Sequence, residues 1–186
     1  MAFGASLGAF AATRSLPARQ MTFADAVAAH QDELFGAALR ILGDRDAALE
    51  ATNNAFFKAY RAFDRYDRSR PLRHWLLRIA TNEAITLARA RSRELRRRAD
   101  ADAAATLADP AAAPLEASVA REERERIRAA VAGLPELYRV VIVLRYFSEL
   151  SVDEIAGVTG RPASTVGVQL LRGRALLRAA LGEGDR

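Results

Sequence analysis

Residues 164–174 concentrate hydroxyl, amide and guanidinium groups in a short span: Ser164, Thr165, Gln169, Arg172 and Arg174. Such groups give and take hydrogen bonds without titrating near neutral pH, so they suit phosphates and base edges better than proton transfer. A second concentration, Arg89, Arg91, Arg93, Arg96, Arg97 and Arg98, places six guanidinium groups within ten residues. A run of this kind tracks a polyanion by charge, a contact that ignores base sequence and weakens steeply with salt. Other chemistries find little footing. The sequence has no glycine-rich phosphate loop and no spaced carboxylate cluster of the kind catalysis needs. With no cysteine there are no disulfides, thiol redox centres or thiolate metal sites. The two histidines, His30 and His74, stand too far apart in sequence to suggest a metal centre. No enzymatic activity, metal or cofactor is expected.

The elements that must position these groups are helices. In 134–178, Pro135 suits a first helical position. Leu137, Val140, Val141 and Leu144 follow at the spacing of one buried face. Ser151 and Glu154 form an S-x-x-E capping box that starts a short helix with Val152, Ile155 and Ala156 inward. Gly160 closes that helix. Pro162 and Ser164 open the next, with Val166, Leu170, Gly173 and Leu177 toward the core and Thr165, Gln169, Arg172 and Arg174 on the other side. Short helix, tight turn and second helix with polar N-terminal residues is the helix-turn-helix geometry that enters a major groove. The alternative is an ordinary three-helix bundle with a solvated basic face.

The rest of the chain is helical by the same test. One helix is predicted over 22–42, with Phe23, Val27, Leu34, Ala38 and Ile41 at helical spacing and Gly43 as its stop. A second covers 46–63, with Phe56, Phe57, Tyr60 and Phe63 inward. Residues 64–71 form a charged loop closed by Pro71. A long helix over 72–98 buries Trp75, Leu76, Ile79, Ala80 and Ile85, and a further helix covers 118–132. Aromatic residues at helical spacing, Trp75, Phe56 and Phe57 among them, read as core rather than as stacking platforms.

Charge divides the chain. Residues 22–98 carry 15 basic and 10 acidic residues, 99–120 carry four acids and no base, and 121–182 carry 10 basic and seven acidic residues. Two basic modules joined by an acidic connector suggest two surfaces facing one polyanion. The basic residues are arginines except Lys58. The fold class is all-α, two small helical domains on a flexible acidic linker. The boundaries are an N-terminal extension (1–21), a first domain (22–98), an Ala/Pro linker (99–117) and a second domain (118–182). No apolar run approaches the ~20 residues that span a bilayer, so no membrane insertion is expected.

Two long motifs resemble the sigma-70 family of bacterial RNA polymerase sigma factors, in its compact extracytoplasmic-function group. LPELYRVVIVLRYFSELSVDEIAGVTGRPASTV is similar to the family's region 4, and FDRYDRSRPLRHWLLRIATNEAI to its region 2. The resemblance implies a cytoplasmic alternative sigma factor whose partners are core RNA polymerase, promoter DNA and an anti-sigma factor. Region 4 would dock on the flap of the second-largest subunit and read the −35 element through Ser164, Thr165, Gln169, Arg172 and Arg174. Region 2 would capture the −10 non-template strand through Asp64, Arg65, Arg68, Arg70, Asn82, Arg89, Arg91 and Arg93. Glu50, Asn53, Asn54 and Lys58 would meet the clamp helices of the largest subunit.

Three departures from the family pattern stand out. The acidic clamp-binding motif reads Glu50-Ala51-Thr52-Asn53-Asn54, with a charge lost at Asn54. The recognition helix has Gly167 and Gln169 where lysine and arginine are common, which predicts weaker −35 binding with a shallower salt dependence. Thr86 stands where an aspartate is usual. These substitutions keep a second reading open, a sigma-like decoy that sequesters an anti-sigma factor.

Overall fold

The computed structural model describes residues 21–101 and 119–182. The predicted N-terminal extension and most of the predicted linker lie outside the described residues. Seven α-helices follow one another: α1 (Phe23–Leu42), α2 (Arg45–Ala62), α3 (Leu72–Ala101), α4 (Val119–Gly133), α5 (Glu136–Tyr146), α6 (Val152–Thr159) and α7 (Ala163–Leu181), with a 3₁₀ turn at Phe63–Arg65. There is no strand among the described residues.

Local chemistry sets the helix ends where the sequence places them. Thr22 caps α1, its hydroxyl accepting from the Asp25 N–H at 3.2 Å while the Asp25 carboxylate accepts from the Thr22 N–H at 2.9 Å. Ser151 and Glu154 repeat that reciprocal box at the start of α6. Gly160 ends α6 in the left-handed region at φ 69, which opens the tight turn into α7.

The first group packs α1, α2 and α3 around a core that is small on one side. The buried face of α2 consists of Ala47, Ala48, Ala51, Thr52, Ala55 and Ala59. Side chains this short let α1 bring in Leu34 and Ile41 and α3 bring in Leu76 and Leu77, all fully buried. The aromatic residues expected inside α2 are therefore partly outside. Phe57 is 62% and Tyr60 65% exposed, while Phe56 is half-buried. The alanines had already filled the inward stripe at helical spacing, and aromatic bulk has no room there.

The second group packs α4 to α7, with Val140 to Leu144, Leu150, Ile155, Val158 and Val166 buried. Leu137, expected on the buried face of α5, is exposed at its first turn instead. At the crossing of α5 and α7, a β-carbon on Gly173 would come within 2.9 Å of Ile142 Cγ1 and 3.4 Å of Tyr138 Cβ. Glycine is what allows these helices their close approach. Buried residues of both groups run together into one apolar cluster, so the two helical groups meet along a packed seam.

Gly173→Val forces a branched side chain into that crossing. It should lower stability by about 1–3 kcal/mol, read as a lower urea midpoint. An unchanged midpoint would mean that the helices can separate without cost.

Candidate nucleic-acid interface

The outer face of α7 follows from its inner one. Val166, Leu170 and Gly173 are buried, so at 100° per residue Ser164, Thr165, Val168, Leu171, Arg172 and Ala175 share the opposite side, and all six are exposed. Arg174 and Arg178 are exposed at its edge. Gln169 does not join them. It is 7% exposed, and its Oε1 accepts from Arg161 Nη1 at 2.9 Å. Its position about 140° around the helix from Ser164 puts it against the N-terminal turn of α5, where Arg161 also donates to the Leu137 carbonyl at 3.4 Å. The sequence reading of Gln169 as an outward-facing residue is thereby corrected: a polar residue at the edge of an amphipathic face turned inward, where the half-buried Arg161 guanidinium is available as a partner.

A second exposed face runs along α3. Trp75, Arg78, Asn82, Thr86, Arg89 and Arg93 fall within a sector of about 80°, and all but the half-buried Trp75 are exposed. The Thr86 hydroxyl donates to the Asn82 backbone carbonyl at 2.8 Å, and the Asn82 side chain is exposed. The loop before α3 is tied to the same face. The Tyr66 ring lies 4.9 Å from that of Trp75 and is stacked on Phe63 at 6.4 Å. The Tyr66 hydroxyl donates to the Arg70 carbonyl. Asp67 Oδ1 accepts from both the N–H and the hydroxyl of Ser69, at 3.0 and 2.7 Å, which holds its carboxyl below the usual range. Asp64, Arg65, Arg68 and Arg70 are exposed on this braced loop. A preformed basic loop beside an aromatic pair and a free amide can track a single strand and receive an unstacked base.

The arginine run is not one surface. Arg89 Nε lies 3.2 Å from Glu136 Oε1 of α5, and Arg93 Nε donates back to the Arg89 carbonyl at 3.3 Å. Arg91 points to the opposite side of α3, where its Nη2 donates to Asp44 Oδ1 at 3.1 Å. Arg91 thus braces the start of α2, and Arg78, which periodicity alone places beside Asn82, belongs to the exposed face in its stead.

The outer face of α2 carries Glu50, Asn53 and Asn54, all exposed. Lys58 sits at its rim with Nζ 2.5 Å from Glu83 Oε1. Between and beyond these polar residues run Leu49, Phe57 and Tyr60, an exposed apolar stripe at helical spacing. Tyr60 is steadied by Phe23, ring centroids 5.3 Å apart, and the Arg61 guanidinium lies over the Phe57 ring at 5.8 Å. Inward-facing alanines were the signal in the sequence that this stripe had to be outside. Among the described residues no cluster of three or more histidine, cysteine, aspartate or glutamate side chains is placed to hold a metal ion. None of their helices is long and apolar enough to cross a membrane.

Comparison with known proteins matches two family models: sigma-70 region 2 over residues 26–94 and sigma-70 region 4 over residues 124–177. The chain is 35% identical over 170 residues to the ECF RNA polymerase sigma factor SigW of Bacillus subtilis, covering 87% of this chain and 90% of that protein. It is 33% identical over 161 residues to the RNA polymerase sigma-H factor of Pseudomonas aeruginosa, covering 82% of each. Among solved structures it is similar to CnrH in complex with the cytosolic domain of CnrY, with a TM-score of 0.63 and 27% identity over 88% of this chain and 89% of that one. It shares the fold of the sigma factor RpoE bound to the anti-sigma factor NepR from Bartonella quintana, with a TM-score of 0.69 and 22% identity over 88% and 98% of the two chains.

Asp44 links this interface to acid stability. Its carboxyl titrates below the ordinary 3.8, first because it accepts the Ala47 N–H and then because of its bond to Arg91. A carboxyl lowered in the folded state contributes stability that is complete above its unfolded value and lost as pH falls through the folded one. Acidification below about pH 4 should therefore destabilise the protein, and Asp44→Asn should make the decline less steep. Equal slopes in urea melts across that range would remove Asp44 from the account.

Proposed function

The chain belongs to the extracytoplasmic-function group of the sigma-70 family and acts as an alternative sigma factor in promoter-specific transcription initiation, and we propose how its surfaces divide that work. The free face of α3 and the loop 64–71 capture the −10 non-template strand, with Asn82 meeting a base edge and Arg78, Arg89 and Arg93 the phosphates. The outer face of α7 reads the −35 duplex. The stripe of Leu49, Asn53, Phe57 and Tyr60 on α2 docks on the clamp helices of the largest polymerase subunit, and the second group meets the flap. The chain performs no catalytic step. The polymerase does the chemistry, in the cytoplasm where it works.

The observation that carries this reading is the α2 face. Two large aromatic side chains stand in water there, on a helix whose core side is alanine, and that arrangement makes sense as an interface anchor. It also favours initiation over the decoy alternative, because a chain that had given up core polymerase would gain nothing by exposing them. An anti-sigma partner is supported by a groove of about 760 Å³ between α1 and α4, where Leu39, Ile127, Val131 and Phe147 are rimmed by Arg40, Arg124 and Arg128. Burial, and after it the nearby charge of Arg128, lower the pKa of Arg40, and a carboxylate on a partner seated across the seam would offset the repulsion between the two arginines.

The wild-type chain should co-elute stoichiometrically with core RNA polymerase in size exclusion at moderate salt. Phe57→Ala with Tyr60→Ala should weaken that association at least about tenfold while the protein stays folded, its melting temperature falling by only the few degrees that loss of the Phe23–Tyr60 ring contact implies. Failure of the wild type to co-elute would move the decoy reading to the front. Asn82→Ala should reduce permanganate reactivity of −10 thymines while core binding persists. Loss of folding instead would make Asn82 structural.

A further inference from the structure

Two glycines lie inside α7, and packing explains one. Gly173 is required by Ile142, whereas a β-carbon at Gly167 would meet nothing within 4 Å. Glycine in a helix interior costs stability relative to alanine through backbone entropy. Among the described residues no packing contact offsets that cost, so the fold itself does not account for glycine at this position. Gly167 is exposed in the first two turns of α7, at the edge of the outer face. In a helix-turn-helix those N-terminal turns are the ones that contact base edges.

The largest side chains available there, apart from one arginine, are apolar. Paired recognition of adenine takes both groups of a glutamine amide, and the Gln169 oxygen is already committed to Arg161 inside the fold. What the first three turns present is the Ser164 hydroxyl, Thr165 with its hydroxyl and methyl, Val168 at 50% exposure, Leu171 at 56%, and one cation, Arg172. A hollow of about 340 Å³ opens beside Val168, walled by Leu137, Tyr138, Thr165 and Arg172. α7 contains no acidic residue, and Arg174 and Arg178 flank the apolar strip. Positive charge around an apolar centre fits the wall and floor of a major groove. The one apolar group on that floor is the C5 methyl of thymine.

We propose that α7 reads thymine by its methyl group. Val168, flanked by Thr165 and Leu171, packs against one or two thymine methyls of the −35 duplex. Gly167 lets the helix backbone lie against the sugar-phosphate wall, and Arg172 and Arg174 hold phosphates. Gln169 takes no part in base selection. The inference rests on α7 being the −35 reader.

Replacing thymine by uracil removes the methyl and nothing else. Duplexes are first selected from a random-sequence library by the full chain assembled with core RNA polymerase, then resynthesised with dU at each thymine in turn. At one or two positions dU should weaken binding about three- to fivefold. Val168→Ala should erase that thymine–uracil difference at an unchanged melting temperature. Gly167→Ala should raise the melting temperature by about 2–4 °C and still weaken duplex binding. Arg172→Ala should weaken all sequences alike. Equal binding of dT and dU at every position would overturn the proposal, as would relaxed selection at a single base pair in Gln169→Ala. If the wild-type assembly enriches no duplex upstream of the −10 element, α7 is not the −35 reader, and the proposal falls with that assignment.

Discussion

The guanidinium of Arg73 sits where α1, α3 and the turn after α5 converge, and the mutual placement of the two helical groups turns on it. Nε and Nη2 grip the Glu33 carboxylate at 2.9 and 2.5 Å, and Nη2 also donates to the carbonyl of the buried Ser148. Beside it His74 Nε2 lies 3.4 Å from Glu154 Oε1, the residue that closes the α6 capping box. At the far end of the seam Arg139 donates to the Leu134 carbonyl and to the Ile41 carbonyl, the latter at 2.8 Å. That carbonyl belongs to the last turn of α1 and has no partner within its helix. Each group thus completes a helix end or turn of the other, and arginine, with donors fixed in a fork, is suited to do both at once.

With the seam turned inward, the surfaces left over are the ones assigned to partners. The outer faces of α2, of α3 and of α7 all lie away from it. Only Arg89 straddles the boundary, bound to Glu136 while its neighbours on the same face look outward. Small residues make this economy of space workable. Alanine on α2 and Gly173 on α7 let helices approach closely, and the bulky side chains displaced from those contacts become available at the surface.

Much of this was legible in the chain because local chemistry dictates it. The capping box at Ser151, the glycine stops at 43 and 160, and the periodicity of α1, α3 and α7 all act within a few residues, as does the Thr22–Asp25 box, although it went unpredicted. What escaped depended on contacts distant in sequence. Hydrophobicity alone marked Phe57 and Tyr60 as core, and only knowledge of what α1 and α3 contribute shows that alanine already fills that side. Gln169 looked outward until Arg161, eight residues away and half-buried, supplied a partner. Arg91 counted as one of a uniform run until Asp44, 47 residues distant, claimed it. Glu149 turns the chain after α5 with a left-handed φ of 56, at a residue type that gives no warning of it.

The rim position of Lys58 has a practical consequence. Among 28 basic residues it alone bears a primary amine, since the others are guanidinium groups. That amine stands beside the apolar stripe of α2, hydrogen-bonded to Glu83 and still largely open to solvent. Acylating reagents ignore guanidinium under mild conditions, so a dye or photo-crosslinker delivered as an active ester has a single side-chain address on this molecule. It would report from the edge of the very surface at which a large partner is expected, with no engineered cysteine and no mutation.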